Sequence, residues 1–200
     1  EDAAHAFGSH YNGFLVGSKC DICCFSFDGI KNITSGEGGA VVTRDLTVLS
    51  RVRDYRLLSV HNDSENRLSK LRSWTFDVKA QGWRYHMSDI MAAIGISQLA
   101  RSAQFFRTRM SLGERYSQLI SGFPSLSYIQ HDYNCVVPHI FPILLPKSVN
   151  RDSIRSDLLK LGIQTGIHYF PNHRLSFYKD SCRDSLPYTD DIYPRLLSLR

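Results

Sequence analysis

The chain has 200 residues, 42% of them hydrophobic and 22% charged, with a formal net charge of +5 and an isoelectric point near 9.0. That length holds one ordinary domain or a piece of a larger protein, and the composition is globular. No stretch approaches the roughly 18 consecutive apolar residues of a membrane span. Nucleic acid is not expected as a partner, because Lys and Arg are scattered, with no run of five or more like charges. The basic balance suits a phosphorylated small molecule equally well.

The chain opens on Glu1, Asp2 and small residues, which is not a signal peptide. Residues 1–10 read as the end of a strand and a loop. An acid at that place, Asp2, is either a ligand-contacting group at a strand's C-terminal end or a turn residue. Residues 11–19 read as a short hairpin turning at Asn12-Gly13. Residues 20–27 are nearly continuously apolar, as in a strand buried on both faces. A polar loop carrying Lys31 follows, then Gly36, Gly38 and Gly39, then a second apolar strand up to Thr43. These glycines are not a nucleotide P-loop, because the lysine precedes them. Held between two core strands, Lys31 is either a surface lysine or an amine for imine chemistry, since partial desolvation favours the neutral nucleophile.

There are five cysteines. Cys20-x-x-Cys23 raises zinc or redox chemistry, but no second pair stands at ligand spacing, and a buried strand accounts for them better. Their odd number accords with a reducing cytoplasm.

Residues 45–60 read as a helix with Leu46, Leu49, Val52 and Tyr55 on one face. Residues 61–81 read as a long loop with an extended piece at 74–78. Ser88 is an N-cap for one long or kinked helix, or two, reaching about Ile120. Past Pro124 two strands are expected, the second ending at Pro146. A helix capped by Asn150 or Asp152 follows, with Leu158, Leu159 and Leu161 on its core side and a stop at Gly162. A strand at 163–167 completes a β-β-α-β order, and the final stretch, IYPRLLSLR, reads as amphipathic.

The runs EDAAHAFG (1–8), FSFDGIKNITSGEGGAVVT (25–43), GWRYHMSDIMAAIGISQL (82–99) and GIQTGIHYFPNH (162–173) together resemble, in order, the signatures of the DegT/StrS family of pyridoxal-phosphate (PLP) aminotransferases. The resemblance covers most of the chain. It implies an α/β fold: residues 1–122 as the C-terminal part of a PLP-binding large domain with a long connecting helix, and 123–200 as a truncated small α/β domain. It also implies that a segment before residue 1 and a C-terminal tail are missing, so that the piece alone is inactive.

By the same resemblance Lys31 carries PLP as a Schiff base, Asp2 pairs with the pyridine nitrogen, Ser26 is a phosphate ligand, and His5 lies against the ring. The family often has asparagine where Arg84 stands and arginine where His86 stands; Arg84 keeps the capacity to hold a phosphate. His168, Tyr169 and His173 match a loop on the substrate side. As metal ligands His168 and His173 lack further partners at matching spacing, and no metal is expected. The implied reaction is transamination of a nucleotide-diphosphate keto sugar with L-glutamate or L-glutamine, by a cytoplasmic homodimer with no membrane partner. It would serve amino sugars of surface polysaccharide or secondary metabolites. Sugar deoxygenation on the same fold, or a non-catalytic regulatory or binding role, are the competing readings; Lys31 stands against the first, and Asp2, Ser26 and Lys31 together against the second.

Overall fold

The structure, a computed structural model, describes residues 1–61, 69, 76–181 and 184–199. It comprises two compact units, residues 1–108 with 135–137, and residues 109–134 with 138–200. Among the described residues no helix is long and apolar enough to cross a membrane.

In the first unit the hairpin β1 (His10–Tyr11) and β2 (Phe14–Leu15) turns at Asn12 and Gly13, both at positive φ. That is the backbone a two-residue primed turn requires. Strands β3 (Ile22–Ser26) and β4 (Gly39–Thr43) pair antiparallel, Cys24 opposite Val41 and Ser26 opposite Gly39. A Cβ at Gly39 would fall 2.6 Å from the Phe25 carbonyl oxygen, so a side chain there would push the two strands apart. The expectation that β3 is buried on both faces is corrected. Cys23 is fully buried, whereas Ile22 and Cys24 are exposed. Their face opens on a cavity of about 570 Å³ whose lining includes Val41, Leu49, Val52 and Trp83.

Helix α1 (Leu46–Tyr55) starts at Asp45, whose Oδ1 accepts from Thr47 N and Val48 N. These bonds to its charged form hold the Asp45 carboxyl below its ordinary value. The helix is shorter than the sequence suggests: it ends at Tyr55, and beyond it Leu58 and Ser59 adopt positive φ, which no helix continues through. Of its expected inner face Leu49 and Val52 are half-buried, while Leu46 is 78% exposed. The extended piece expected at 74–78 lies partly outside the described residues; within them Val78 bridges Val60 antiparallel. Helix α2 (Asp89–Ala100) is capped by Ser88, whose side chain accepts from Met91 N, and α3 (Ser102–Ser121) follows after a break at Arg101.

In the second unit β5 (Ser127–Tyr128), β6 (Phe141–Leu144), β7 (Thr165–Gly166) and β8 (Leu196–Leu199) form an antiparallel sheet in the order β5-β6-β8-β7. The stretch read as amphipathic is thus divided between the end of α5 (Pro187–Ile192), a 3-10 turn, and β8, an inner strand of this sheet. Helix α4 (Arg151–Lys160) is capped by Asn150, whose Oδ1 accepts from Ser153 N at 2.9 Å. The core joins Ile120, Phe141, Ile143, Leu145 and Leu197, with Ile154 and Leu158 packed against it. Ile154 and Leu158 are one helical turn apart and share a face. Leu159 is rotated by about 100° from Leu158 and Leu161 follows the last turn. Both are exposed, which corrects the expectation that they line the core.

Leu197 is 1% exposed. Leu197→Ala is expected to destabilise the protein by about 2–5 kcal/mol and Asn150→Ala by about 1 kcal/mol, both read from denaturant midpoints.

Candidate functional site

Residues 1–3 lie parallel to β3. Cys24 N donates to Glu1 O and Ala3 N donates to Cys24 O, each at 2.9 Å, with Asp2 opposite Cys24. Side chains alternate across a strand. Asp2, Cys24 and Ser26 therefore share one face, and Glu1 and Cys23 share the other. Both segments end at the same edge, where open α/β sheets gather ligand-contacting groups.

Asp2 is exposed, and its Oδ1 accepts from Ala4 N at 3.1 Å. Ser26 closes β3, and its Oγ accepts from Asp28 N at 3.4 Å. Asp28 then folds the chain back: its Oδ1 accepts from Ile30 N at 3.2 Å and its main-chain oxygen from Lys31 N at 3.0 Å. This turn keeps Lys31 half-buried near the end of β3. The next residue anchors it. Asn32 is 4% exposed, and its Nδ2 donates to Phe7 O at 3.1 Å and Val137 O at 3.2 Å. Its buried Oδ1 makes no hydrogen bond. Asn32 carries no sign of this anchoring in its own stretch of sequence, because its partners lie 25 and 105 positions away.

Beyond Lys31 the chain needs glycine for close approach. Ser35 is fully buried and its Oγ donates to Glu37 O at 2.8 Å. Gly38 has φ +153°, and a Cβ there would fall 2.6 Å from both Ser35 Oγ and Met87 Cε. Between residues 37–39 and 85–88, with Met91 as a wall, lies a cavity of about 480 Å³ that includes His86. Residues 83–85 run extended beside the end of α1: Trp83 N donates to Tyr55 O, and Tyr85 N to Arg56 O. The Trp83 and Tyr85 rings stack with centroids 6.1 Å apart. Alternation puts exposed Arg84 on the other side of that segment. His5 is exposed in the loop after Asp2.

In the second unit His168 and His173 are half-buried and Tyr169 is exposed. His168 Nδ1 shares a hydrogen bond with Ser198 Oγ at 2.8 Å, and Ser198 is buried on β8. Gly166 makes room for this ring, because a Cβ there would fall 2.7 Å from His168 Cε1. His173 Nε2 pairs with Asp190 Oδ1 at 3.0 Å, and Arg174 Nε donates to the same oxygen at 2.8 Å. Hydrogen bonds with His173 first, then with Arg174, hold the Asp190 carboxyl below the usual carboxylate range. Neither histidine belongs to a metal-ligating cluster among the described residues; the one such group is Glu1, Cys20 and Cys23.

The sequence matches the DegT/DnrJ/EryC1/StrS aminotransferase family over residues 1–200. It is 34% identical over 203 residues to a UDP-4-amino-4,6-dideoxy-N-acetyl-beta-L-altrosamine transaminase of Campylobacter jejuni, a match covering 100% of this chain and 52% of that protein. Among solved structures it resembles PseC of Helicobacter pylori, an aminotransferase involved in pseudoaminic acid biosynthesis. The TM-score is 0.86 at 27% identity, over 99% of this chain and 52% of that one. It also resembles Spr1654 of Streptococcus pneumoniae, a putative sugar aminotransferase, in its PLP form, with TM-score 0.82 at 26% identity over 99% and 51%. The chain spans about half the length of the curated relatives it matches.

Asn32→Ala should lower stability by about 2–6 kcal/mol, since it strands two carbonyls at roughly 1–3 kcal/mol each where they are buried; thermal melting reads this. Asp190 has a depressed pKa, so its contribution is present above the unfolded carboxylate value of about 3.9. It is lost as pH falls through the lower folded value. The melting-temperature gap between wild type and Asp190→Asn should therefore be open at about pH 5 and narrow as the pH falls below the unfolded value of about 3.9.

Proposed function

The chain belongs to the DegT/DnrJ/EryC1/StrS aminotransferase family, and on that premise we propose that the protein carrying it moves an amino group from L-glutamate or L-glutamine to the keto group of a nucleotide-linked deoxysugar. The supporting observation is the placement of Asp2 and Ser26 on one face at the ends of two parallel segments, with Lys31 on the turn that leaves Ser26. Amino-sugar synthesis for surface polysaccharide or secondary metabolites is the setting we assign to it.

This family depends on PLP, and a solved relative is known in PLP and PMP forms. The groups present here fit that cofactor. A carboxylate, a hydroxyl and a primary amine match a ring nitrogen, a phosphate and an aldehyde. The glycine loop has no space for side chains where a Cβ at Gly38 would meet Ser35 and Met87. Asp2 would hold the ring nitrogen, Ser26 the phosphate and Lys31 the aldehyde carbon, with His5 beside the ring and Arg84 on a phosphate. When bound, PLP supplies the electron sink for deprotonation at the donor's α-carbon.

The remaining steps belong to this chain. The Lys31 amine, once released by the incoming amino donor, takes the α-proton and returns it on the other side of the transfer. The Asp2 carboxylate keeps its partner nitrogen protonated, because an adjacent anion favours the charged form. Ser26 orients the phosphate. In the second unit His168, Tyr169 and His173 are assigned to the sugar substrate. Ser198 and Asp190 each engage one ring nitrogen of a histidine and so set its orientation. Cysteines held as thiols at Cys20, Cys23 and Cys24 accord with a cytoplasmic setting. Exposed Ile90, Ile96 and Leu99 on α2 support a homodimer.

The test is an absorbance scan of the whole protein with PLP, before and after L-glutamate, beside Lys31→Ala and Asp2→Asn. A near-visible band that requires Lys31 and is bleached by glutamate is the expected result. Lys31→Ala should abolish turnover, and Asp2→Asn should lower it by about 10²-fold or more. A band unchanged by every donor points to deoxygenation instead. A folded protein with no Lys31-dependent band ends the enzymatic reading.

A further inference from the structure

On the face of β3 turned away from Asp2 and Ser26, three potential ligands come together. The Glu1 carboxylate, Cys20 Sγ and Cys23 Sγ have ligand atoms within 4.8 Å of one another. The parallel pairing of residues 1–3 with β3 places Glu1 beside Cys23, and the bend before β3 returns Cys20 to the same place. Cys23 is fully buried, Cys20 half-buried and Glu1 exposed, so the cluster is closed by Cys23 on the inside. Gly17 adds to the room there, since a Cβ at that position would lie 3.1 Å from Cys23 Sγ.

We propose that Glu1, Cys20 and Cys23 form a site for a thiophilic divalent cation, zinc in the first instance, with two thiolates and one carboxylate as protein ligands and water as the fourth. Two sulfurs and an oxygen are a zinc donor set, and an open fourth position is common where the protein supplies three. Zn–S and Zn–O bonds of about 2.3 and 2.1 Å put tetrahedral donors about 3.5–3.8 Å apart. Rotation of the Glu1 and Cys20 side chains would have to close the remaining distance from within 4.8 Å. Binding releases the two thiol protons. A bound ion would tie residues 1–3 to β3 and brace the pairing that sets Asp2 against Cys24. The inference is independent of the amino-transfer reading.

The experiment is cobalt(II) titration of the reduced whole protein, read as the difference spectrum against metal-free protein, with zinc added afterwards and melting temperature followed in parallel. The result expected is one cobalt per chain with a thiolate charge-transfer band and the visible bands of tetrahedral cobalt, displaced by zinc, and a higher melting temperature with zinc. Cys20→Ser and Glu1→Gln should each weaken binding at least tenfold. Cys23→Ser alters a buried position and can fail to fold, so Cys20→Ser, at a half-exposed position, carries the decision. Absence of the band in folded, reduced wild type overturns the site. So does a band that survives in Cys20→Ser, which would assign the cobalt to the other cysteines.

Discussion

Two main-chain hydrogen bonds, Cys24 N to Glu1 O and Ala3 N to Cys24 O, fix the register on which the first unit's site depends. A register decides more than alignment, because a slip of one residue turns every side chain to the opposite face. In the observed register Asp2 shares a face with Cys24 and Ser26, and Glu1 shares the other with Cys23. A carboxylate and a hydroxyl then converge at one sheet edge, and a carboxylate and thiols at the opposite face. Because the pairing is parallel, both segments reach that edge with the same polarity, and the turn after Ser26 starts there.

That turn is held by polar groups. Asp28 closes it from both its side chain and its main chain, and Asn32 fastens it to Phe7 and Val137. A side-chain amide giving both protons to main-chain carbonyls replaces the ladder that a loop lacks, in keeping with the rule that buried backbone acceptors find donors. The glycines that follow act by absence. A methyl group at Gly39 would separate β3 from β4, and one at Gly38 would displace Ser35 or Met87. Lys31 is therefore presented by a loop whose backbone is held on both sides, as the role proposed for it would require.

The second unit uses another device. Its two loop histidines are oriented by residues far along the chain: Ser198 on the inner strand β8, and Asp190 on α5. Ser198 is 1% exposed and sits beside Leu197 of the core, so the position of His168 is coupled to the packing of that sheet. The chain's architecture is α/β and matches about half the length of solved aminotransferases, so these local arrangements stand on a framework shared with known enzymes.

The sequence alone determined whatever depends on near neighbours. The Asn12-Gly13 turn, the Ser88 and Asn150 caps, the β3 and β4 segments and the stop at Gly162 are set by backbone preference and hydrogen bonds spanning only a few residues. The ordered motifs around Asp2, Lys31, Ser88 and His168 carried the family in the same way. Only the tertiary structure decided what depends on distant partners. Leu159 and Leu161 looked like core residues until the Ile154–Leu158 face met the sheet, and the last strand was hidden because its inner place rests on pairing with β6 and β7. Asn32, Ser198 and Asp190 have no local signature, since the hydrogen bonds that give them meaning join residues 17 to 105 positions apart. The meeting of Glu1 with Cys20 and Cys23 is of that kind, for hydrophobic and polar periodicity report which face a residue takes within its own segment and are silent about which other segment it will face.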